Sequence, residues 1–188
     1  MREIFVTNTS IEDTLNELNV ALMGDLVEQW GEYTLTFNNN LGKGTIRSIA
    51  FDWGLSLLDF DVNFKEVTKI SFKTIEKKLV EFIFVSEGTL DFKSEDSESY
   101  VNFELYQNII ISGLRSNKKT FIFPKYQQVK VIFIQVVTKD YLKKKNNNYR
   151  YLNKALKSVF EDNKPETSFN YLGNYNLKIA DQVKQLSV

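Results

Sequence analysis

The residue types available for catalysis are restricted in this sequence. Its 188 residues contain no histidine and no cysteine. Histidine is the commonest general base and metal ligand, and cysteine supplies the thiolate nucleophile and a further zinc ligand. Catalysis would therefore depend on carboxylate, lysine or tyrosine side chains, and no spacing in the sequence points to such a group. The composition predicts a protein that is not an enzyme and uses no metal and no cofactor.

Two short patterns resemble catalytic or phosphate-binding motifs. Glu81 and Glu87 flank an apolar run and could act as an acid and a base. Six residues along a strand would place them about 20 Å apart, at roughly 3.3 Å per residue, which argues against that pairing. The segment 42–44, Gly-Lys-Gly, lacks the spacing of a phosphate-binding loop and precedes a strand-like run, so we interpret it as a turn.

Arginine and aromatic residues are the candidates for binding a small molecule. Trp53 could stack on a planar ligand or a sugar, although such a residue more often caps a core. Arg47 and Arg115 are the arginines of the β-rich region and could hold a carboxylate or phosphate, although a solvated position is the commoner alternative. The predicted strand phases place four phenylalanines in the interior, where core filling explains them without a ligand: Phe60, Phe82, Phe84 and Phe133. These seven residues are the candidate ligand-binding set.

Length and charge limit the classes of protein that this chain can represent. A length of 188 residues fits one domain, and an aromatic fraction of 14% indicates a folded core. The 24 basic and 24 acidic residues cancel, so the chain lacks the positive field typical of nucleic-acid binders. The first residues do not form a signal peptide, and no apolar run approaches the roughly 20 residues that cross a bilayer. We expect a cytoplasmic protein with no membrane segment.

The elements that would position these residues are mainly strands. Ser10 begins a predicted helix that ends near Met23 and has leucines on one face. Alternating or apolar runs between turn residues then predict about ten strands, at 33–37, 46–51, 56–64, 69–73, 79–86, 89–93, 100–105, 108–112, 120–123 and 129–138. This pattern predicts a mainly β fold with flanking helices, closed as a barrel or double sheet.

Two helices are predicted after the last strand. The first has Tyr149, Leu152, Leu156, Val159 and Phe160 on one face and ends near residue 162. The second presents a stripe of Ile179, Val183 and Leu186. Such a stripe can pack on its own barrel or meet its twin across a two-fold axis, and the sequence leaves both alternatives open.

Five segments of the sequence are similar to the sensor half of AraC-type transcriptional regulators: 41–47 (LGKGTIR), 51–55 (FDWGL), 81–90 (EFIFVSEGTL), 109–112 and 129–137. The resemblance implies a cupin-like double-sheet jelly roll at 30–139, between a helical segment at 1–29 and a C-terminal dimerisation or linker segment at 140–188. It further implies a homodimer that pairs through Ile179, Val183 and Leu186 and responds to a small effector. DNA would be contacted through helix-turn-helix units that the resemblance places beyond Val188. The metal-binding histidines of other cupins have no counterpart here.

A second function remains open from the sequence. The chain could be a stand-alone, metal-free cupin-like binding protein or a cofactor-free enzyme, and a third alternative is a purely structural interaction module. An enclosed cavity with convergent polar groups would favour sensing or catalysis, whereas an interior filled by phenylalanine and leucine would favour a structural role.

Overall fold

The computed structural model describes residues 1–8, 10–74, 79–95, 97–113, 118–144, 157, 160 and 169–186. The helices are α1 (Ile11–Leu22), the short α2 (Thr138–Tyr141) and α3 (Leu177–Leu186), with a 3-10 turn at Asp52–Gly54. The strands are β1 (Arg2–Asn8), β2 (Asp25–Gln29), β3 (Glu32–Asn38), β4 (Gly42–Phe51), β5 (Leu55–Phe64), β6 (Thr68–Thr74), β7 (Leu79–Glu87), β8 (Thr89–Ser94), β9 (Val101–Glu104), β10 (Gln107–Gly113), β11 (Lys118–Phe123), β12 (Gln128–Val137) and β13 (Phe169–Asn174).

These strands form two facing sheets. The large sheet has the order β13-β10-β7-β12-β5-β4-β3-β2, and the small sheet has the order β1-β6-β11-β8-β9. Between β5 and β12 the chain passes repeatedly from one sheet to the other. As a result, the strands β5-β12-β7-β10 of the large sheet lie opposite the strands β6-β11-β8-β9 of the small sheet. This is the strand order of an eight-stranded jelly roll built from two Greek keys. The predicted mainly β, double-sheet jelly roll with flanking helices is confirmed.

Strand β5 shows how the sequence pattern sets which face is buried. Phe60, Val62 and Phe64 alternate with polar residues and are at most 1% exposed between the sheets. Successive side chains of a strand point to opposite faces, so the apolar set must face the second sheet. The register follows from this burial, because a one-residue slip would bring the polar set into the core.

Helix α1 lies against one side of the jelly roll. The Ser10 hydroxyl accepts the backbone N–H of Asp13 at 3.0 Å, which satisfies a donor that the helix start leaves free. Leu15, Leu18 and Leu22 are fully buried in the core that both sheets share. The predicted helix is therefore confirmed, and its last turn ends where Met23 takes the left-handed conformation, with φ of 51°.

Three strands lie outside the sequence prediction. β1 pairs in parallel with β6, β2 forms a hairpin with β3, and β13 pairs with β10. The segment 1–29, predicted to be helical, thus contains two strands besides α1, and the C-terminal segment also contains a strand. These strands are short and lie at or next to sheet edges, where few alternating residues reveal them.

The predicted turn at 42–44 is wrong, because these residues begin β4. Gly44 lies so close to β5 that a Cβ atom there would be 2.6 Å from the Asp61 carbonyl oxygen. Because glycine has no Cβ atom, it allows β4 and β5 to lie this close together. In the predicted helix from about residue 149 to about residue 162, Lys157 and Phe160 are helical, and the other residues lie outside the described part of the chain.

Among the helices formed by the described residues, none combines the length and the apolar character needed to cross a membrane.

Candidate functional site

Those predicted ligand-binding residues that the structure describes do not meet at one site. Phe60 and Phe133 lie in the interior, at 0% and 2% exposed. Phe82 and Phe84 lie on the opposite, outer face of the large sheet, so the prediction that they line the interior is wrong. The reason is the phase of β7, which turns its odd-numbered residues inward.

Aromatic rings occupy the space between the sheets. The Phe133 ring lies 5.6 Å from the Phe60 ring and 5.1 Å from the Phe121 ring, measured between centroids. Further ring contacts join Phe60 to Phe123 and Phe72 to Phe121. Edge-to-face and tilted contacts of this kind are typical of a close-packed core. The filled interior favours a structural role for this space.

One ionic group is nevertheless buried between the sheets. Lys119 of the small sheet pairs with Glu81 of the large sheet, and both side chains are at most 5% exposed. Gln135 donates to the other Glu81 oxygen at 2.9 Å, and Ser56 donates to Gln135 at 3.2 Å. Because unpaired charges are costly in such surroundings, each of the two charges depends on the other for its stability.

Glu81 was weighed from the sequence only as an acid or base paired with Glu87. Lys119 was not predicted as its partner. Glu87 is exposed and lies near Lys130, at 3.7 Å, so it is not a partner of Glu81. The missed signal is the strand phase. Glu81 shares the inward phase of Ile83 and Val85, and Lys119 shares the phase of the buried phenylalanines that follow it.

Arg47 organises a polar cluster on the outer face of the large sheet. Its Nη2 lies 2.9 Å from an Asp59 oxygen and donates to the Leu186 carbonyl oxygen at 3.0 Å, while its Nη1 lies 3.7 Å from Glu32. Asp59 is 4% exposed, and burial raises the pKa of its carboxyl although Arg47 opposes the shift. Arg47 thus connects three strands to the last turn of α3.

An open groove of about 590 Å³ adjoins this cluster. It is lined by residues of β2, β3 and β4 and of the turn between β2 and β3: Val27, Gln29, Trp30, Glu32, Thr34 and Ile49. Val27 lies opposite Thr34, and Thr34 lies opposite Arg47, so one row across the sheet leads from the groove to the arginine. The groove therefore combines the apolar side chains of Val27, Trp30 and Ile49 with the carboxylate of Glu32, which Arg47 also contacts.

Trp30 is the most exposed large apolar side chain among the described residues, at 96%. It occupies the two-residue turn with Gly31, where both residues have positive φ, of 57° and 81°. Such turns favour asparagine and glycine, because a side chain crowds the backbone at positive φ. A tryptophan is therefore poorly suited to this turn. Its exposed side chain offers a surface to which another molecule could bind. The sequence signal was the Trp-Gly pair between two apolar runs.

Trp53 is not among the residues that line this groove. Trp53 is 44% exposed in the 3-10 turn, with Lys144 Nζ 5.9 Å from the centre of its ring. Arg115 lies outside the described residues. Neither residue is brought to Arg47 by any contact that the structure describes.

The stripe on α3 is divided between two environments. Val183 is 3% exposed and packs on Leu57 and Ile132 of its own large sheet. Ile179 and Leu186 are 42% and 43% exposed. Val183 therefore packs on its own chain, which is one of the two alternatives that the sequence left open. Pairing of Ile179 and Leu186 with a second subunit stays a prediction.

The strand order and the filled interior define the class: a double-sheet jelly roll with an open groove on an outer face. No family model matches the chain, and no curated protein matches it.

Solved structures with a similar arrangement include a bacterial pirin and a cupin domain. The nickel(II) complex of the bacterial pirin YhhW from Escherichia coli has a TM-score of 0.43 and 9% identity, over 81% of this chain and 55% of the pirin. The cupin domain of Cnp3 from Schizosaccharomyces pombe has a TM-score of 0.40 and 10% identity, over 65% of this chain and 90% of that domain. The chain spans about half the length of the pirin. Values this low transfer no function to this chain.

Proposed function

We propose that this chain is the ligand-binding and dimerisation domain of a regulator of the AraC type, that it is not an enzyme, and that it works as a cytoplasmic homodimer. In this proposal the domain senses and pairs, and DNA is contacted by another part of the regulator. The open groove beside Arg47 is the observation that carries the proposal. The resemblance of the sequence supports the choice of family.

The groove has the size and chemistry of a small-molecule site. A volume of about 590 Å³ lies within the roughly 300–1,000 Å³ that ligand pockets occupy. Trp30 and Ile49 offer apolar surface, while Glu32 and Thr34 offer oxygen acceptors. A ligand with a flat apolar part and at least one hydrogen-bond donor would satisfy both sets. This is the class of effector that we propose.

Arg47 supplies the coupling that a regulator needs. It contacts Glu32, which lines the groove, and it donates to the Leu186 carbonyl at the end of α3. A ligand donor that binds Glu32 would compete with Arg47 for the same carboxylate. We therefore propose that occupancy of the groove changes how firmly the last turn of α3 is held on the sheet.

Fluorescence of Trp30 tests the ligand part of the proposal. The chain has two tryptophans, so Trp53→Phe leaves Trp30 as the single reporter. This variant should be titrated with neutral monosaccharides, aromatic amines and aromatic carboxylates. We expect saturable quenching by an aromatic amine, and loss of that response when Glu32→Gln removes the acceptor charge. Absence of saturation with all three classes would contradict the effector role of the groove.

The alternative is a stand-alone metal-free binding protein or a cofactor-free enzyme. The buried pair of Lys119 and Glu81 is the observation that favours it, because a lysine and a carboxylate inside a barrel can exchange protons. The lysine is held in an ion pair, and an ammonium has no lone pair with which to attack a carbonyl. A carbonyl substrate that becomes fixed to Lys119 on borohydride reduction would establish the enzyme in place of the regulator.

A further inference from the structure

The free edge of the large sheet has the features of a surface that pairs with a second copy of this chain. β2 is the last strand of that sheet, and within the described part of the chain it has a neighbour on one side only. An unpaired edge offers a row of backbone donors and acceptors to another strand. β2 contains no proline and no lysine, two of the devices that block such pairing, although it is only five residues long and carries the charged residues Asp25 and Glu28.

The hairpin geometry shows which backbone groups face outward. In a two-residue hairpin the residues that flank the turn form a hydrogen-bonded pair, and such pairs then alternate along the ladder. Gln29 pairs with Glu32, so Asp25, Val27 and Gln29 bond to β3. The backbone groups of Leu26 and Glu28 consequently point to the open edge.

We propose that two copies join their β2 edges in an antiparallel ladder with the two-fold axis at Val27, which deepens the dimer of the proposed function by naming its interface. In this register Leu26 of each copy lies opposite Glu28 of the other, so outward-facing backbone groups meet each other. Centring on Glu28 would oppose two carboxylates, which is destabilising. Centring on Leu26 would leave Gln29 without a strand residue opposite.

The same register brings together apolar side chains that are exposed in one copy. Trp30 follows the end of β2, and Met23 and Val20 precede its start, at 96%, 59% and 80% exposed. A two-fold axis at Val27 brings the Trp30 end of each β2 strand towards the Met23 end of the other, because antiparallel strands lie with opposite ends together. Burial of these side chains gives the pairing an apolar component at both ends of the ladder.

The tests use the full chain and two pairs of matched variants, with mass measured by sedimentation over a range of concentrations. Val27→Lys places two ammonium groups opposite each other at the two-fold axis, and we expect the dimer dissociation constant to rise at least tenfold. Val27→Thr is the control, because it keeps a branched residue in the strand without adding charge. We expect it to change the dissociation constant less.

Trp30→Asn has two opposite expected effects. It removes the apolar contact, so the dimer should weaken, and it suits the positive φ of the turn, so the melting temperature measured at a monomeric concentration should rise by about 2–4 °C. Tyr126→Asn is the matched control, because Tyr126 is also exposed and has positive φ, of 58°, but lies in the turn before β12. It should gain stability and leave the dissociation constant unchanged.

The outcomes separate this interface from the proposed function. A native chain that stays a monomer at all concentrations overturns both. A dimer that survives Val27→Lys and Trp30→Asn but separates on Leu186→Glu overturns the β2 interface and leaves the dimeric regulator standing. A dimer that responds to the β2 variants, while the chain shows no effector, supports the interface and overturns the sensing part of the proposed function.

Discussion

The interior between the sheets and the outer face of the large sheet use similar residues for different purposes. Inside, Phe60 and Phe133 are at most 2% exposed, and the charged pair of Lys119 and Glu81 is shut in with them. Outside, Phe82 and Phe84 are only partly buried, and Arg47 is shared among an open groove, a buried carboxylate and a helix end. The interior has one close-packed arrangement, whereas the outer face retains exposed surface, and for this reason our proposed effector site lies on the outer face.

Breaking the buried ion pair should give the largest effect. Lys119→Met leaves the Glu81 carboxylate without its charged partner and should lower the free energy of unfolding by about 3–5 kcal/mol. The double variant Glu81→Leu with Lys119→Met should recover most of that loss, because two apolar side chains can replace a buried pair. Urea unfolding of the three proteins measures this. A double variant no more stable than Lys119→Met would show that the pair itself stabilises the fold.

Truncating one phenylalanine on each face measures the contrast in packing. Phe133→Ala should cost about 3–5 kcal/mol, because it leaves a cavity among rings that cannot collapse. Phe82→Ala, on the outer face, should cost about 1–2 kcal/mol, since less apolar area is lost. Thermal and urea unfolding give both values. Equal losses would mean that the outer face is packed as closely as the core.

A carboxylate on α3 tests how that helix is attached. Val183→Glu would bury a charge against Leu57 and Ile132 of the same chain, so we expect lower stability with no change in molecular mass. Ile179→Glu is the matched control, because its side chain is 42% exposed and should tolerate the charge. Unfolding curves together with light scattering measure both properties. Dissociation of a dimer by Ile179→Glu would instead place α3 at a subunit interface.

The smallest effect concerns the pH dependence contributed by Asp59. Burial raises the pKa of its carboxyl above the ordinary value of 3.8, so the folded state binds a proton more readily than the unfolded state. The stability that this group contributes is present below pH 3.8 and is lost as pH rises through the folded pKa. Relative to Asp59→Asn, the native chain should therefore lose stability over that window. Chemical unfolding at a series of pH values measures the difference, and a parallel pair of profiles would contradict the shift.

The strands of the jelly roll were accessible to prediction because their alternation is local. Runs such as 56–64 and 129–138 mark their own buried faces, and the capping serine marks the start of α1. β1 was missed because Phe5, between the buried residues Ile4 and Val6, removes the polar alternation, and so short a run near a terminus is ambiguous. β13 is likewise stabilised by its pairing with β10, which no local pattern shows.

The candidate site depended on contacts between residues far apart in the sequence. Arg47 was identified as a candidate, but its contacts with Asp59 and with the Leu186 carbonyl arise from the pairing of β4 with β5 and from the docking of α3. Trp30 was not predicted as a site residue, because no local sequence pattern shows its exposure. The exposure of Trp30 is a property of the folded surface.

By itself, the sequence determined the fold class, the first helix and the absence of histidine and cysteine chemistry, since local periodicity and composition decide these. Only the tertiary structure decided that Phe82 and Phe84 face outward, that Glu81 meets Lys119 across the core, and that a groove opens beside β2. The phase of a strand such as β7, which has apolar residues on both faces, is not set by its own sequence. The packing of one sheet on the other sets it, since an inward Glu81 is stable only where Lys119 is opposite.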